Sequence, residues 1–83
     1  IEENNVDTWS VYPNPSNGIF QVNIETASSA RIEILNLLGD VVYSRNNLIN
    51  GSNTISIENL NNGVYMMRLY INNKLYTSRI VKK

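Results

Sequence analysis

The sequence contains neither cysteine nor histidine among its 83 residues. Without these side chains the chain cannot form a disulfide, a Ser-His-Asp or Cys-His nucleophile system, or an ordinary zinc site. Two carboxylates alone can support a glycosidase, but here the seven acids are scattered over the predicted strands and the N-terminal segment. A calcium site needs oxygen ligands gathered in one loop, and the loops of Asp7 and Asp40 do not gather them. We therefore predict a non-enzymatic domain with no catalytic residue, metal ligand or cofactor.

Long apolar runs are also missing. No stretch of the chain has the length and apolarity of a membrane-spanning helix or a signal peptide. Because the chain begins at Ile1, we expect it to be a piece of a longer protein whose targeting signal lies elsewhere. Its length predicts a single domain, and its apolar fraction of 42% is sufficient for one small core.

Acidic residues are absent from the C-terminal part of the chain. Residues 1–58 hold all seven acids and two bases, a net charge of −5, whereas residues 59–83 hold five bases and no acid. A docking role for the basic C-terminus is one interpretation, and an ordinary solvated face is the other. Nucleic acid is a poor candidate partner, because the whole chain is neutral and aromatics do not alternate with the bases.

Proline occurs only twice, and both copies lie in the stretch Tyr12-Pro13-Asn14-Pro15. Each proline fixes φ, removes a backbone donor and moves the preceding residue away from the helical region, so this stretch is predicted to be extended and stiff. Asn17-Gly18 follows as a turn signal. Residues 1–7 are polar and acidic, which predicts a linker, and residues 8–83 are predicted to form the domain.

No window shows a helical period, and short alternating segments are separated by Gly- and Asn-rich turns. The predicted strands span 8–12, 19–25, 30–36, 41–44, 53–58, 64–71 and 74–81. This all-β spacing is typical of an immunoglobulin-like antiparallel β-sandwich of about seven short strands. The polar side chains of the alternation, including Gln21, Asn23, Arg31 and Glu33, are expected on the solvent side.

The dipeptide Asn72-Asn73 predicts a two-residue hairpin turn, since asparagine tolerates positive φ. That turn pairs Tyr65 with Ile80 and assigns one face of the hairpin to the core. The predicted core face comprises Tyr65, Met67, Leu69, Ile71, Tyr76 and Ile80. The opposite face is half apolar and half basic, and the last strand is expected to leave an edge open for pairing.

Two further features concern the last two strands. Gly63-Val64-Tyr65 is similar to the tyrosine corner of immunoglobulin-like sandwiches, with a simple turn and a core tyrosine as the alternative. Lys82 and Lys83 lie beyond the predicted pairs. We therefore expect both lysines to be exposed and to contribute little to stability.

The order of these signals resembles the type A C-terminal sorting domain of type IX (Por) secretion substrates in Bacteroidota. The resemblance covers roughly residues 11–83 and ends in the basic segment 79–83. The motif positions that carry it are Tyr12, Pro13, Asn14, Pro15, Gly18, Phe20, Gly39, Gly63 and Tyr65.

The resemblance implies a secretion signal at the end of a larger exported protein. Such domains direct their parent through the periplasm and the outer-membrane translocon to the cell surface, and the implied partners are translocon and shuttle components and a sortase-like peptidase. The recognised segment would be Arg79, Ile80, Val81, Lys82 and Lys83. Cleavage would fall within residues 1–8, at Asn4, Asn5, Val6 or Asp7, after which the cargo is surface-attached or released.

The alternative hypothesis is an immunoglobulin-like accessory module that binds carbohydrate or protein at the cell surface. Trp9, Tyr12, Tyr43 and Tyr70 are the candidate residues for a sugar-stacking platform. A carbohydrate module should expose two or three of these rings in one plane, whereas a sorting domain need not.

Overall fold

The alternation of apolar and polar residues produces seven β-strands in the computed structural model, which describes residues 8–25 and 29–83. The strands are β1 (Thr8–Tyr12), β2 (Ile19–Glu25), β3 (Ala30–Leu35), β4 (Val41–Arg45), β5 (Gly51–Ser56), β6 (Gly63–Ile71) and β7 (Lys74–Lys82). The described residues form no helix. No segment among them therefore qualifies as a membrane-spanning helix.

The strands form two antiparallel sheets that enclose the core. One sheet has the order β1-β2-β5 and the other has the order β4-β3-β6-β7. Phe20, Val22 and Ile24 of β2 face inward and are fully buried, as are Ile32 and Ile34 of β3. Each fully buried side chain of this size stabilises the fold by roughly 1.5–3 kcal/mol. The predicted immunoglobulin-like β-sandwich is therefore confirmed.

The β6–β7 hairpin has the predicted register. Asn72 and Asn73 have φ values of 51° and 70°, as a type I′ turn requires, and Tyr65 pairs with Ile80. The predicted core face is buried, except that Tyr76 is half-buried and packs its ring at 5.8 Å from that of Trp9 on β1. A two-residue turn between alternating strands was therefore enough to assign both faces of the hairpin.

Four polar residues were expected on the solvent side, and of these only Arg31 is exposed. Glu33 is half-buried because the guanidinium groups of Arg31 and Arg68 lie 3.2 and 3.5 Å from its carboxylate oxygens. Gln21 and Asn23 are also half-buried, and the Gln21 side-chain oxygen accepts hydrogen bonds from hydroxyl groups of β5. Cross-strand polar contacts therefore cover side chains that alternation alone assigns to solvent.

Some strand boundaries differ from the prediction. The fifth strand begins at Gly51 and ends at Ser56, two residues earlier than expected, although Ile57 is still buried. Gly51 has a φ of 100° and pairs with Ile24, so the residue predicted to form a turn opens the strand instead.

The hydrogen bond of Tyr65 confirms the tyrosine corner. Its hydroxyl donates to the backbone carbonyl of Asn61, four residues upstream, at 2.5 Å. Gly63, with a φ of 151°, allows the backbone to turn into β6 between these two residues. The corner therefore fixes the β5–β6 loop against the beginning of β6.

Candidate functional site at one end of the sandwich

The antiparallel pairing brings distant motif positions to one end of the sandwich. Loops 13–18, 36–40 and 57–62 lie there with residues 82–83, and we call this region the motif end. The described chain enters β1 at Thr8 at the opposite end, which we call the linker end. Residues that are scattered along the sequence therefore share one surface at the motif end.

Asn14 joins the proline-containing loop to the last strand. Its side-chain amide donates to the backbone carbonyl of Arg79 at 2.8 Å, and its side-chain oxygen accepts from the backbone N–H of Val81 at 3.0 Å. An asparagine side chain offers the same donor and acceptor as a peptide group. It therefore pairs with the edge of β7 at a position where Pro13 and Pro15 have no N–H to offer.

Ser16 adds two backbone hydrogen bonds along the same edge of β7. Its N–H donates to the carbonyl of Val81 at 3.0 Å, and its carbonyl accepts from the N–H of Lys83 at 2.8 Å, forming a parallel bridge opposite Lys82. Ser16 is buried, and its hydroxyl oxygen accepts from the N–H of Gly18. The expectation of an open β7 edge is thus wrong at residues 79–83, because loop 14–16 occupies that edge.

Lys82 is buried, contrary to the prediction that it is exposed. Only 9% of its surface is accessible. Its ammonium group donates to the side-chain oxygen of Asn62 at 2.8 Å, while its aliphatic stem lies against Gly18. The observed hairpin register continues two pairs beyond the predicted one, to Gly63 and Lys82, and places Lys82 on the same face as Ile80.

The other residues of the predicted recognition segment differ in burial along the end of β7. Ile80 is fully buried and Val81 is half-buried. Arg79 and Lys83 are exposed, and Lys83 borders a shallow cleft that Pro13 and Pro15 also line. The segment therefore presents two accessible cations on a backbone held by Asn14 and Ser16.

The remaining motif positions shape the same end. Gly18 is buried with a φ of 115°, and a β-carbon there would lie 2.9 Å from the Cε of Lys82 and 3.0 Å from the Cα of Glu58. Phe20 fills the core behind it. Gly39 has a φ of 92° in the β3–β4 turn. These residues have structural roles that keep the loops of the motif end in place.

The aromatic residues proposed for sugar stacking do not share a plane. Trp9 and Tyr43 pack against the core, while Tyr12 is exposed on the outer face of the three-stranded sheet. Tyr70 lies on the outer face of the other sheet, and Arg31 covers its ring at 3.9 Å from the centroid. The described residues therefore offer no flat aromatic platform, which argues against the carbohydrate alternative.

No three carboxylates come together within residues 8–25 and 29–83 in a way that would hold a metal ion. The predicted cleavage positions Asn4, Asn5, Val6 and Asp7 lie outside the described residues. The predicted boundary between linker and domain lies at the edge of the described part of the chain, and it stays a prediction.

Comparison with known proteins identifies relatives of this chain. The family model described as the secretion system C-terminal sorting domain matches residues 10–83. Among curated proteins, the ulvan lyase NLR42 of Nonlabens ulvanivorans is 26% identical over 82 residues, which is 98% of this chain. The chain spans 15% of the length of that relative.

Proposed function

Because the chain belongs to the family of secretion system C-terminal sorting domains, we propose that the motif end is the surface that the outer-membrane translocon reads. A domain of this family is a sorting signal for type IX secretion. It interacts with the secretion machinery, directs export to the cell surface or beyond, and is not itself catalytic.

The observation that supports the motif end is the set of four hydrogen bonds between loop 14–16 and residues 79–83. They combine two motif segments from opposite ends of the sequence into one surface. Since this surface needs both segments in place, a partner that binds it distinguishes the folded domain from an unfolded basic peptide.

Within this surface we assign recognition chiefly to Arg79 and Lys83. Both side chains are exposed, so a partner can reach them and be steered by their charge. Lys82 has a different role, because its ammonium group is engaged by Asn62 and its stem is packed against Gly18. We propose that Lys82 holds the terminal segment in place while its two exposed neighbours meet the partner.

We also propose that the cargo precedes Thr8, so that it lies at the linker end, away from the recognised surface. Translocon and shuttle components would then bind the motif end without contacting the cargo. A sortase-like peptidase would cut within residues 4–7, and any catalytic activity of the parent protein would reside in the cargo. The curated relative, which is named as a lyase, is one example of a longer protein with a region similar to this chain.

A fusion experiment tests this proposal. A reporter that carries an export signal is joined to the N-terminal side of residues 1–83 and expressed in a host with the type IX translocon and in a matched host without it. We expect surface delivery only in the first host. The mass of the released reporter should show that its C-terminus lies within residues 4–7. Retention of the reporter in the periplasm of both hosts, or its delivery in both, would contradict the proposal.

A further inference from the structure

The β3–β4 turn carries the two most exposed large apolar side chains of the described residues. Leu37 and Leu38 are 77% and 87% accessible. The turn that presents them is tightly hydrogen-bonded: the side-chain oxygen of Asn36 accepts from the N–H groups of Leu38 and Asp40 at 2.9 and 3.0 Å. Two backbone hydrogen bonds, from Asn36 to Asp40 and from Gly39 to Asn36, close the loop. The backbone that carries this leucine pair, which we call the leucine tip, is therefore held in a fixed conformation.

The leucine tip continues into an apolar row on the outer face of the four-stranded sheet. Leu35 pairs with Val41 on one side and with Met66 on the other, and it is buried between them. Side chains paired in this way lie about 5 Å apart on one face. Together with Val64, these residues extend the apolar surface across β4, β3 and β6. Contiguous apolar surface of this kind marks an interaction site more often than single exposed residues do.

The apolar row also reaches the recognition segment. Met66 pairs with Arg79, so the exposed guanidinium borders the row on the β7 side. Arg68 lies further along β6, where its guanidinium is already 3.5 Å from the Glu33 carboxylate. Arg79 is therefore the cation available to an acidic group on a partner that covers the row.

We propose that the leucine tip and the adjoining row dock into an apolar pocket with an acidic rim on a protein of the secretion machinery. This inference rests on the function proposed above and adds a second contact surface to it. A turn already fixed in its bound shape loses little conformational entropy on binding, which favours tight insertion of a small apolar tip. Buried apolar anchors of this kind provide much of the affinity of protein interfaces.

Two other occupants fit the surface less well. A stable dimer buries roughly 800 Å² and 20–30 residues on each partner, whereas here the row beyond the two leucines consists of side chains that are less than half exposed. An anionic membrane surface requires bases beside the inserted apolar residues. The tip is instead followed by the exposed carboxylate of Asp40, while Arg79 borders the row on β7, two strands away from β3. A recessed pocket on a larger protein needs no broad contact area, and Arg79 is placed to meet an acidic group on its rim.

The test compares reporter fusions of the whole chain that differ only at the leucine tip. Leu37→Ser with Leu38→Ser removes the apolar groups and leaves Asn36 and Gly39 to hold the turn. Surface delivery is expected to fall at least tenfold while the melting temperature of the purified chain stays unchanged. Leu37→Met with Leu38→Met keeps the tip apolar and should retain delivery. Ile49→Ser removes a 61% exposed side chain at the linker end and should have no effect.

The outcomes separate this inference from the proposed function. If the unmodified fusion is not delivered, the proposed function fails. If that fusion is delivered and the double-serine variant is delivered at the same rate, the docking surface is overturned while the proposed function stands. Sedimentation showing a dimer that the serine variant loses would assign the tip to self-association and overturn the proposal. If the unmodified chain binds phosphatidylglycerol vesicles and the variant does not, the leucine tip is assigned to the membrane and the proposal is overturned.

Discussion

Replacing Asn53 with alanine is expected to lower the free energy of unfolding by about 2–4 kcal/mol, because it removes one buried and several partly buried hydrogen bonds to backbone groups. Asn53 is only 2% accessible. The two N–H groups of its side-chain amide donate to the carbonyls of Val22 and Ile49 at 3.1 and 2.9 Å, with the carbonyl of Gly51 as a shared acceptor at 3.3 Å, and its side-chain oxygen accepts from the N–H of Ile49 at 2.9 Å. One side chain therefore ties the β4–β5 loop to the beginning of β5 and to the neighbouring strand β2.

Urea unfolding of the alanine variant measures this loss. Asn46→Ala is the matched control, since Asn46 is an exposed asparagine of the same loop and should change stability by less than about 0.5 kcal/mol. A small domain has a total stability of only about 5–10 kcal/mol, so the Asn53 variant should lose a large part of it. Equal midpoints for the two variants would show that the Asn53 contacts do not hold the fold together.

Gly18→Val is expected to destabilise the domain by about 2–6 kcal/mol, the sum of a backbone penalty and a steric one. The φ of 115° is one that side chains rarely adopt, and the added β-carbon would approach Lys82 and Glu58 to 2.9 and 3.0 Å. The Lys82 stem can move, but the Glu58 contact is with backbone and cannot relax without shifting the β5–β6 loop. Displacement of Lys82 should also loosen the terminal segment and reduce export.

Gly51→Val separates the two penalties. Gly51 has a similar φ of 100°, but a β-carbon there meets nothing within 4 Å. It should therefore cost only the backbone part, about 1–3 kcal/mol. Chemical denaturation of both variants gives the difference, and a Gly51 variant as unstable as the Gly18 variant would mean that the close approach of Lys82 and Glu58 to Gly18 is unimportant.

Local patterns in the sequence were sufficient to predict most of the fold. The Asn72-Asn73 turn fixes the hairpin register through its own geometry, and the spacing from Gly63 to Tyr65 identifies the tyrosine corner. Both inferences depend on residues that are neighbours in the chain. Alternation then assigns the core faces, because a residue on the wrong face would expose apolar surface.

The contacts that build the motif end were not predictable in this way. Asn14 and Val81 are 67 residues apart, and no periodicity relates them. Lys82 pairs with Gly63 and has the same orientation as the buried Ile80, but the groups that cover it, Gly18 and Asn62, come from loops elsewhere in the sequence. The proline-containing stretch was predicted to be extended and stiff, but its role as a partner for the β7 edge depends on the folded neighbour.

Two further residues had a signal that went unused. Asn53 lies two residues before Ile55 and four before Ile57, so period-two alternation already places it on the inward face with them. Leu38 follows another leucine directly, outside any alternation, in a turn that ends at Gly39. An inward asparagine and an apolar turn both conflict with simple patterning, and such conflicts indicate a structural or functional requirement.

The most direct test of the recognition surface is the delivery of a reporter fused to the chain with Arg79→Ala and Lys83→Ala. Both side chains are exposed, and the backbone groups that bond to Asn14 and Ser16 remain, so stability should change by less than about 0.5 kcal/mol. Arg45→Ala with Lys74→Ala removes the same charge away from the motif end and serves as the control. We predict that the first variant is folded but retained in the periplasm, while the control reaches the cell surface. A folded Arg79 and Lys83 variant that reaches the surface at the rate of the control would contradict recognition at the motif end through these cations.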